Sequence, residues 1–416
     1  MEYITPNFTK EMIKEYTILI PNMADIQFSC LQAALRSEGY HLEVLKNYDP
    51  KVSQLGLSYV HNDTCYPALL IIGQFIDALN SGKYDLHHTA LLISQSGGGC
   101  RASNYIKLLR KALVKAGYGY IPVASINPTG LEKGSSLPLT YSLIKKALLA
   151  VTYGDEISAL RNQIVPYEVH QGDGEAWANK WIQTVSSWFE TGKNVALHQM
   201  NRCFNEIASD AKKVPIQRCK KVKVGVVGEI FVKFSPLGNN CLQEFLEKEN
   251  CEVNMPGVMG YINYCLANFH LDYTFYHMNR MFAYGSKIIL DYLDHIGNLQ
   301  SQAMRKAGFY GPTSFKELMK KPGDILSLGV KMGEGWLLCG EMVELIEAGY
   351  ENIVCAQPFG CLPNHICGKG VMSQIRKEYP NANITAVDYD PSATKVNQEN
   401  RIKLMLAVAN EKLVAE

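Results

Sequence analysis

Three cysteines of this chain stand where a thiol can do chemistry. Cys65, Cys100 and Cys361 each lie at a corner of the chain, next to glycine or proline and close to the start of a predicted helix. The free N–H groups of a first helical turn stabilise an anion or a thiolate. Because such corners can meet in one crevice of an α/β fold, we expect these thiols to form one site.

The corner around Cys100 is the most informative of the three. An apolar run at residues 89–93 predicts a buried strand, residues 97–99 are three glycines, and helical spacing begins at Arg101. Glycines let the backbone take positive φ and come close to a bulky group. The alternative is a tight turn beside an ordinary buried cysteine, which is common in protein cores.

The spacing of the cysteines decides which inorganic centre they suit. The chain has 12 cysteines but no Cys-x-x-Cys pair, which argues against a zinc ribbon and against thioredoxin-type redox chemistry. Three distant thiols suit an iron–sulfur cluster assembled from separate loops, with one iron left open to a substrate, water or bridging sulfide. A zinc-stabilised structural protein is the remaining alternative. Cys339, Cys355 and Cys367 are either further ligands or ordinary buried thiols.

Composition and charge exclude several classes of function. The chain has 416 residues, of which 47% are hydrophobic and 19% charged, and its net charge is +1. These values are typical of a globular protein and favour neither nucleic acid nor an acidic membrane as partner. The start of the chain does not resemble a signal peptide, and no apolar run approaches the ~20 residues of a membrane helix, so we expect a cytoplasmic protein. Residues 97–101 lack the ending of a P-loop, and residues 225–228 lack the third glycine of a dinucleotide fingerprint.

Apolar runs alternate with helical spacing along most of the chain. This alternation predicts an α/β fold with two Rossmann-like (flavodoxin-like) parallel-sheet domains, helical insertions, and the cysteine site in the cleft between the domains. We expect a first α/β domain at residues 1–135, a helical region at 136–218, and a second α/β domain at 219–416. A helical insertion at about 258–320 interrupts the second domain. Its tyrosine, phenylalanine and methionine content fits a helical cap or a subunit contact.

Five segments carry a family likeness that covers nearly the whole chain after residue 50. They are QSGGGCRASNY, GEIFVKF, GEGWLL, QPFGCLPNHI and DYDPSATKVNQENRIKLML. The chain resembles the acyl-CoA dehydratase activase-related proteins, which belong with the 2-hydroxyacyl-CoA dehydratases, benzoyl-CoA reductases and double-cubane cluster proteins. The resemblance implies that Cys65, Cys100 and Cys361 bind a [4Fe-4S] cluster or an [8Fe-9S] double cubane. It also implies a separate ATP-hydrolysing iron–sulfur activator, with a sister subunit or a homodimer as further partners.

Two functions follow from these expectations. In the first, the chain is an anaerobic reductive enzyme of the dehydratase or reductase kind. It acts on a small molecule such as an acyl-CoA, with His365 as proton donor and Arg101 as a second catalytic residue. Asn104, Asn364 and Lys369 would then bind the substrate, although the two asparagines and His365 are also typical of helix caps. In the second, the chain is an electron-transfer or cluster-scaffold subunit without catalysis of its own.

Overall fold

Two four-stranded, all-parallel β-sheets organise the computed structural model, which describes residues 5–95, 99–126, 135 and 137–415. The first sheet contains β1 (Thr17–Ile20), β2 (Leu42–Val44), β3 (Thr89–Ser94) and β4 (Val123–Ile126), in the order β2-β1-β3-β4. The second contains β5 (Lys223–Gly228), β6 (Glu252–Asn254), β7 (Asn352–Pro358) and β8 (Asn383–Tyr389), in the order β6-β5-β7-β8. The predicted α/β fold with two parallel sheets is therefore confirmed.

The helices follow the strands in the alternation that the sequence predicts. The first sheet unit carries α1 (Met12–Glu15), α2 (Asp25–Arg36), α3 (Lys51–Tyr59), α4 (Tyr66–Asn80) and α5 (Tyr105–Lys115). The middle of the chain forms α6 (Tyr141–Ile164), α7 (Asp173–Thr191) and α8 (Met200–Ala211). The second sheet unit carries α9 (Ile230–Phe234), α10 (Pro236–Asn239), α11 (Leu242–Lys248), α12 (Val258–Tyr276), α13 (Arg280–Ala307), α14 (Phe315–Leu318), α15 (Trp336–Glu347), α16 (Leu362–Asn364), α17 (Met372–Glu378) and α18 (Lys395–Ala415).

The two sheets have the same strand order, so the loops after corresponding strands occupy corresponding positions in each sheet. In each sheet the third strand in sequence lies beside the first, so the strand order reverses between these two strands. Ligands of open α/β sheets bind at this switch point, beyond the carboxyl ends of the strands. Cys100 follows β3 and Cys361 follows β7, so both lie in the loop after the third strand of their sheet. At Gly228, at the end of β5, φ is +144° and an added Cβ would lie 1.8 Å from a backbone oxygen of β7, so only glycine fits.

Apolar packing joins the two sheet units rather than separating them. The largest hydrophobic cluster contains Leu91 of β3 and Phe75 of α4 together with Val226 of β5 and Val387 of β8. The central strands β3 and β7 are continuous apolar runs because parallel strands are covered on both faces. The shared cluster therefore holds the loops of the two units in a defined relation.

The middle helices form a second core. Trp177, Trp181 and Trp188 of α7 are buried in it with Tyr153 of α6, and α13 of the insertion packs against the same cluster. The three tryptophans thus pack on one helix face, as their spacing predicts. The predicted boundary at residue 135 is flanked by residues 127–134 and 136, which fall outside the described part of the chain. Within residues 5–95, 99–126, 135 and 137–415, no helix has the length and apolarity needed to span a bilayer.

Candidate cysteine site

Each of the three predicted cysteines stands directly before a helix. Cys65 is the N-cap of α4, Cys100 precedes the 3₁₀ turn Arg101–Asn104, and Cys361 precedes α16. None of the three has helical backbone angles, so each thiol lies beside the free N–H groups of a first turn. Their predicted location at helix starts is confirmed. Of the predicted glycine turn, Gly97 and Gly98 lie outside the described residues.

The Cys65 and Cys100 corners are joined by two hydrogen bonds. Arg101 Nη1 donates to the backbone oxygen of Asp63 at 2.6 Å. Tyr105, at the start of α5, donates its hydroxyl to Cys65 Sγ at 3.1 Å. The residues that follow Cys100 therefore contact the loop before α4, and one of them contacts the Cys65 sulfur itself.

A loop of the second sheet unit, residues 332–335, bridges the Cys100 and Cys361 corners. A Cβ added to Gly99 would lie 2.6 Å from Met332 Sδ, so the backbone beside Cys100 is packed against this loop. At Gly333, φ is +59° and an added Cβ would lie 2.8 Å from Pro363 Cβ, in the loop of Cys361. The contact at Gly333 requires glycine, because its φ is positive and a side chain would meet the rigid ring of Pro363. At Gly99 a side chain would instead displace the flexible Met332 side chain.

Glu334 ties this loop to the remaining corner. Its Oε1 accepts from the backbone N–H of Ile230 at 3.0 Å, and its Oε2 accepts from Asn364 Nδ2 at 3.1 Å. The same Asn364 nitrogen lies 3.5 Å from Cys361 Sγ, within hydrogen-bond reach of a sulfur acceptor. Glu229, next to Ile230, caps α9 by accepting from the N–H of Val232 at 2.8 Å. These contacts therefore connect five corners from both sheet units: those at Cys65, Cys100 and Cys361, the loop at residues 332–335, and the turn at residues 229–230.

Burial and neighbouring charges raise the pKa values of the thiols. The pKa of Cys65 is raised to about 12, chiefly by burial and then by the charge of Glu229, with a smaller contribution from Cys100, while the hydrogen bond from the Tyr105 hydroxyl opposes this rise. Burial raises the pKa of Cys100, to which Glu334 and Glu229 add. Burial likewise raises the pKa of Cys361, which also senses Glu334, Glu229 and Cys65. All three thiols therefore sense the charge of Glu229, and Cys65 is coupled to Cys100 and to Cys361.

The two carboxyl groups also perturb each other. Burial, followed by the charge of Glu334, raises the pKa of Glu229 to about 8. Burial raises the pKa of Glu334, although hydrogen bonds and the cation Lys233 lower it in part. Because ionisation of one carboxyl group raises the pKa of its neighbour, Glu229 and Glu334 cannot both ionise freely near neutral pH. Burial therefore favours the neutral forms of these groups, and a positively charged inorganic core beside them would favour the ionised forms instead.

The corners occur twice, once in each sheet unit. Cys65 starts the helix that leads into β3, and Gly335, beside Glu334, starts the helix that leads into β7. Cys100 follows β3 and Cys361 follows β7, with Gln95 and Gln357 before them and Asn104 and Asn364 behind them. The sequence analysis missed Glu229 and Glu334. The signal that would have found them is the repeated Gly-Glu pair, 228–229 and 333–334, just before a helix.

The other predicted site residues divide into two groups. Arg101 and Asn364 belong to the corner contacts, and Asn104 is exposed on the turn after Cys100. His365 instead contacts its own loop, with Nδ1 3.4 Å from Gln357 Nε2 and Nε2 accepting from the N–H of Gly360 at 3.3 Å. Lys369 lies 3.7 Å from Asp388 of β8. His365 and Lys369 therefore group around Gln357 and Asp388, and none of their hydrogen bonds or ion pairs named here reaches one of the three thiols.

The surplus cysteines lie in the core of the second sheet unit. Cys339 of α15 and Cys355 of β7 are fully buried in one hydrophobic cluster, and Cys367 is 2% exposed. A Cβ added to Gly368 would lie 3.0 Å from Cys355 Sγ, so this thiol packs under the Cys361 loop. Burial raises the pKa of Cys367 to about 11, and the charge of Glu334 adds to the shift. Cys355 and Cys367 both sense the charge of Glu334 and are therefore the surplus thiols with an electrostatic connection to the site.

Soft thiols are the donors that the three corners offer to a metal centre. Across the part of the chain that the structure describes, no three histidine, cysteine, aspartate or glutamate side chains lie close enough to bind one ion. A cubane cluster instead binds each thiolate to a different iron, so its ligands stand apart by the width of the cluster. Soft thiolates are the ligands that such clusters take, and the hydroxyl of Tyr105 and the amide of Asn364 are placed to donate to ligand sulfurs.

Comparison with known proteins adds no assignment. No protein-family profile matches the chain, and no curated protein is significantly similar to it. The resemblance to the dehydratase superfamily therefore stays a prediction that depends on the quoted segments alone.

Proposed function

We propose that this chain is an iron–sulfur protein that carries out ATP-dependent, low-potential reductive chemistry on a small molecule, an acyl-CoA being one candidate. Its electrons come from a separate ATP-hydrolysing activator, and its cluster lies in the cleft between the two sheet units, bound by Cys65, Cys100 and Cys361. One observation carries the proposal. Corners from both sheet units place three cysteines at N-cap positions, and hydrogen bonds and close packing join these corners through Arg101, Tyr105 and the loop at residues 332–335.

The surroundings of the thiols suit a cluster of low potential. When bound, an iron–sulfur cluster supplies one-electron reduction and an iron on which a substrate oxygen is polarised. Where they ionise, the carboxyl groups of Glu229 and Glu334 add negative charge beside the cluster, which opposes its reduction and lowers its potential, whereas burial favours their neutral forms. Tyr105 and Asn364 act in the opposite sense, because a donor to a ligand sulfur stabilises the more negative state. The chain thus places beside the cluster both groups that lower its reduction potential and groups that raise it.

Two carboxyl groups beside the thiols join His365, the predicted donor, as candidates for proton transfer at this site. Glu229 has a pKa of about 8, so its carboxyl group is protonated in much of the protein at neutral pH. Glu334 is held by Ile230 and Asn364, so its oxygens have fixed positions beside the Cys361 corner. We assign the proton supply of the reduction to this carboxyl pair, with His365 as the alternative donor.

The test is activator-dependent reduction. The chain is purified without oxygen, reconstituted with iron and sulfide, and mixed with an ATP-hydrolysing iron–sulfur activator and a panel of acyl-CoA thioesters. We expect an iron–sulfur EPR signal that forms only with ATP and is lost again on addition of a substrate. Reduction without substrate turnover would favour the electron-transfer subunit, and a chain that takes up no iron would refute both functions.

A further inference from the structure

The hairpin of α12 and α13 carries an exposed apolar surface that the proposed chemistry does not use. On α13 the exposed side chains are Met281, Phe282, Tyr284, Ile288, Ile289 and Tyr292, which we call the hairpin face. Met281 is 86% and Ile288 71% exposed. Phe269 of α12 extends the face, with its ring 6.2 Å from that of Phe282.

The spacing on α13 is that of a helix with two apolar sides. Ala283, Ser286, Leu290 and Leu293 are buried against the protein. Met281, Gly285, Ile288 and Tyr292 lie on the opposite side at intervals of four, three and four residues, which is the spacing of a helix-pairing seam. A helix that is apolar on opposite sides is normally covered on both. A Cβ added to Gly285 would meet no atom within 4 Å, so the seam has open space for another helix at its centre.

The exposed area is sufficient for a stable interface. Aromatic side chains present about 150–250 Å² each, and those of the hairpin face are about half exposed. With the methionine, the isoleucines and the aromatic residues of α12, the hairpin offers roughly 1,000 Å² per copy. This exceeds the ~800 Å² that each partner contributes to a standard interface, and it exceeds the apolar patches usual on monomers.

The charges beside the face indicate which partner it fits. Lys287 Nζ is 2.9 Å from Asp291, and Lys316 pairs with the same carboxylate at 3.0 Å. The guanidinium of Arg280 lies 5.6 Å from the ring centre of Tyr284. Because the two lysines are paired within the chain, a two-fold contact that sets this face against itself brings no bare lysine charge against its own copy.

We infer that the hairpin face is a self-association surface, and that its occupant is the same hairpin of a second copy, with the two α13 helices crossing near Gly285 and Ile288. The contact is isologous, so each Ile288 lies close to its counterpart. This assignment is independent of the cysteine site.

Sedimentation velocity of the full chain at about 10–50 µM tests the assignment. We expect the wild-type protein at twice the 46.5 kDa of one chain. Ile288→Glu should sediment as a monomer, because two carboxylates would be buried together, which weakens dimerisation roughly 100-fold or more. The matched control is Leu404→Glu on α18, since Leu404 is also 71% exposed, and it should remain a dimer.

Far-UV circular dichroism checks that the variants fold, and Met281→Glu replaces Ile288→Glu if the latter loses helix content. A monomeric wild-type protein would overturn the inference. This holds also if the monomer co-sediments with neutral lipid vesicles, which would make a membrane surface the occupant of the hairpin face. An Ile288→Glu and a Met281→Glu variant that both stay dimeric would overturn it too, because the interface would then lie elsewhere.

Discussion

Lys233 provides the most demanding test of the charge balance around the site. It lies on α9, is 4% exposed, and places its Nζ 3.3 and 3.4 Å from the carboxylate oxygens of Glu341 on α15, which is 2% exposed. Lys233 also lowers the pKa values of Glu229 and Glu334. Lys233→Met removes the cation and leaves Glu341 buried without its partner. Breaking one side of a buried pair costs about 3–5 kcal/mol, so we expect the free energy of unfolding to fall by that amount.

Urea denaturation followed by far-UV circular dichroism measures the loss. Lys320→Met is the matched control, because Lys320 and Glu317 form a pair that is 70% and 55% exposed, and its loss should change stability by about 0–1 kcal/mol. The double variant Lys233→Met/Glu341→Met should regain much of the lost stability, since no unpaired charge remains buried. A loss below about 1 kcal/mol for Lys233→Met, or simple addition of the two single losses, would refute the reasoning.

Three further predictions address other buried groups. Glu156 is fully buried with no hydrogen bond to either carboxylate oxygen among the described residues, and burial raises its pKa well above the ordinary value. As pH rises, the unfolded chain loses this proton before the folded chain does, so the wild-type protein loses stability. Glu156→Gln should therefore gain stability relative to wild type by about 1.4 kcal/mol per pH unit, from pH ~4.5 up to the folded-state pKa. Urea titrations at several pH values that gave the two proteins equal slopes of stability against pH would contradict this. Tyr105→Phe should lower the midpoint potential of the reconstituted cluster by tens of millivolts in an EPR-monitored titration, because Cys65 loses its hydroxyl donor; an unchanged potential would exclude the contact. Gly228→Ala should destabilise the protein by at least about 2 kcal/mol in thermal unfolding. Gly297→Ala, at an open helix position, should be neutral or stabilising. Equal effects of the two variants would contradict the close approach of Gly228 to the backbone of β7.

Much of the fold could be predicted because parallel strands and amphipathic helices leave periodic signals. The apolar runs before Cys100 and Cys361 are buried on both faces of a sheet, which makes them continuous in the sequence and easy to recognise. The helix α3 at Lys51–Tyr59 was not predicted, since it buries only Val52 and Gly56 and carries a glycine in its interior. The loop after Cys361 turns helical at once, at Leu362, because Pro363 suits a first helical turn.

The candidate site could be predicted only where its residues mark a corner. Cys65, Cys100 and Cys361 stand beside glycine or proline at helix starts, and that local signal is visible in the sequence. Glu229 and Glu334 stand in a repeated Gly-Glu pair, but that pair does not report how deeply each is buried, because burial arises only when the two sheet units pack against each other. His365 has the side chain of a proton donor, but its ring hydrogen bonds within its own loop, and no sequence pattern reports that orientation.

The most direct test of the central claim is the iron and sulfide content of single-cysteine variants made without oxygen. We expect wild-type protein to be brown and to contain at least four irons and four sulfides per chain. Cys65→Ala, Cys100→Ala and Cys361→Ala should each lose most of this iron, whereas Cys219→Ala, at an exposed position, should keep it. Loss of iron in Cys367→Ala as well would indicate the larger double cubane. Colourless wild-type protein, or full iron in any of the three corner variants, would contradict the assignment of these thiols as ligands.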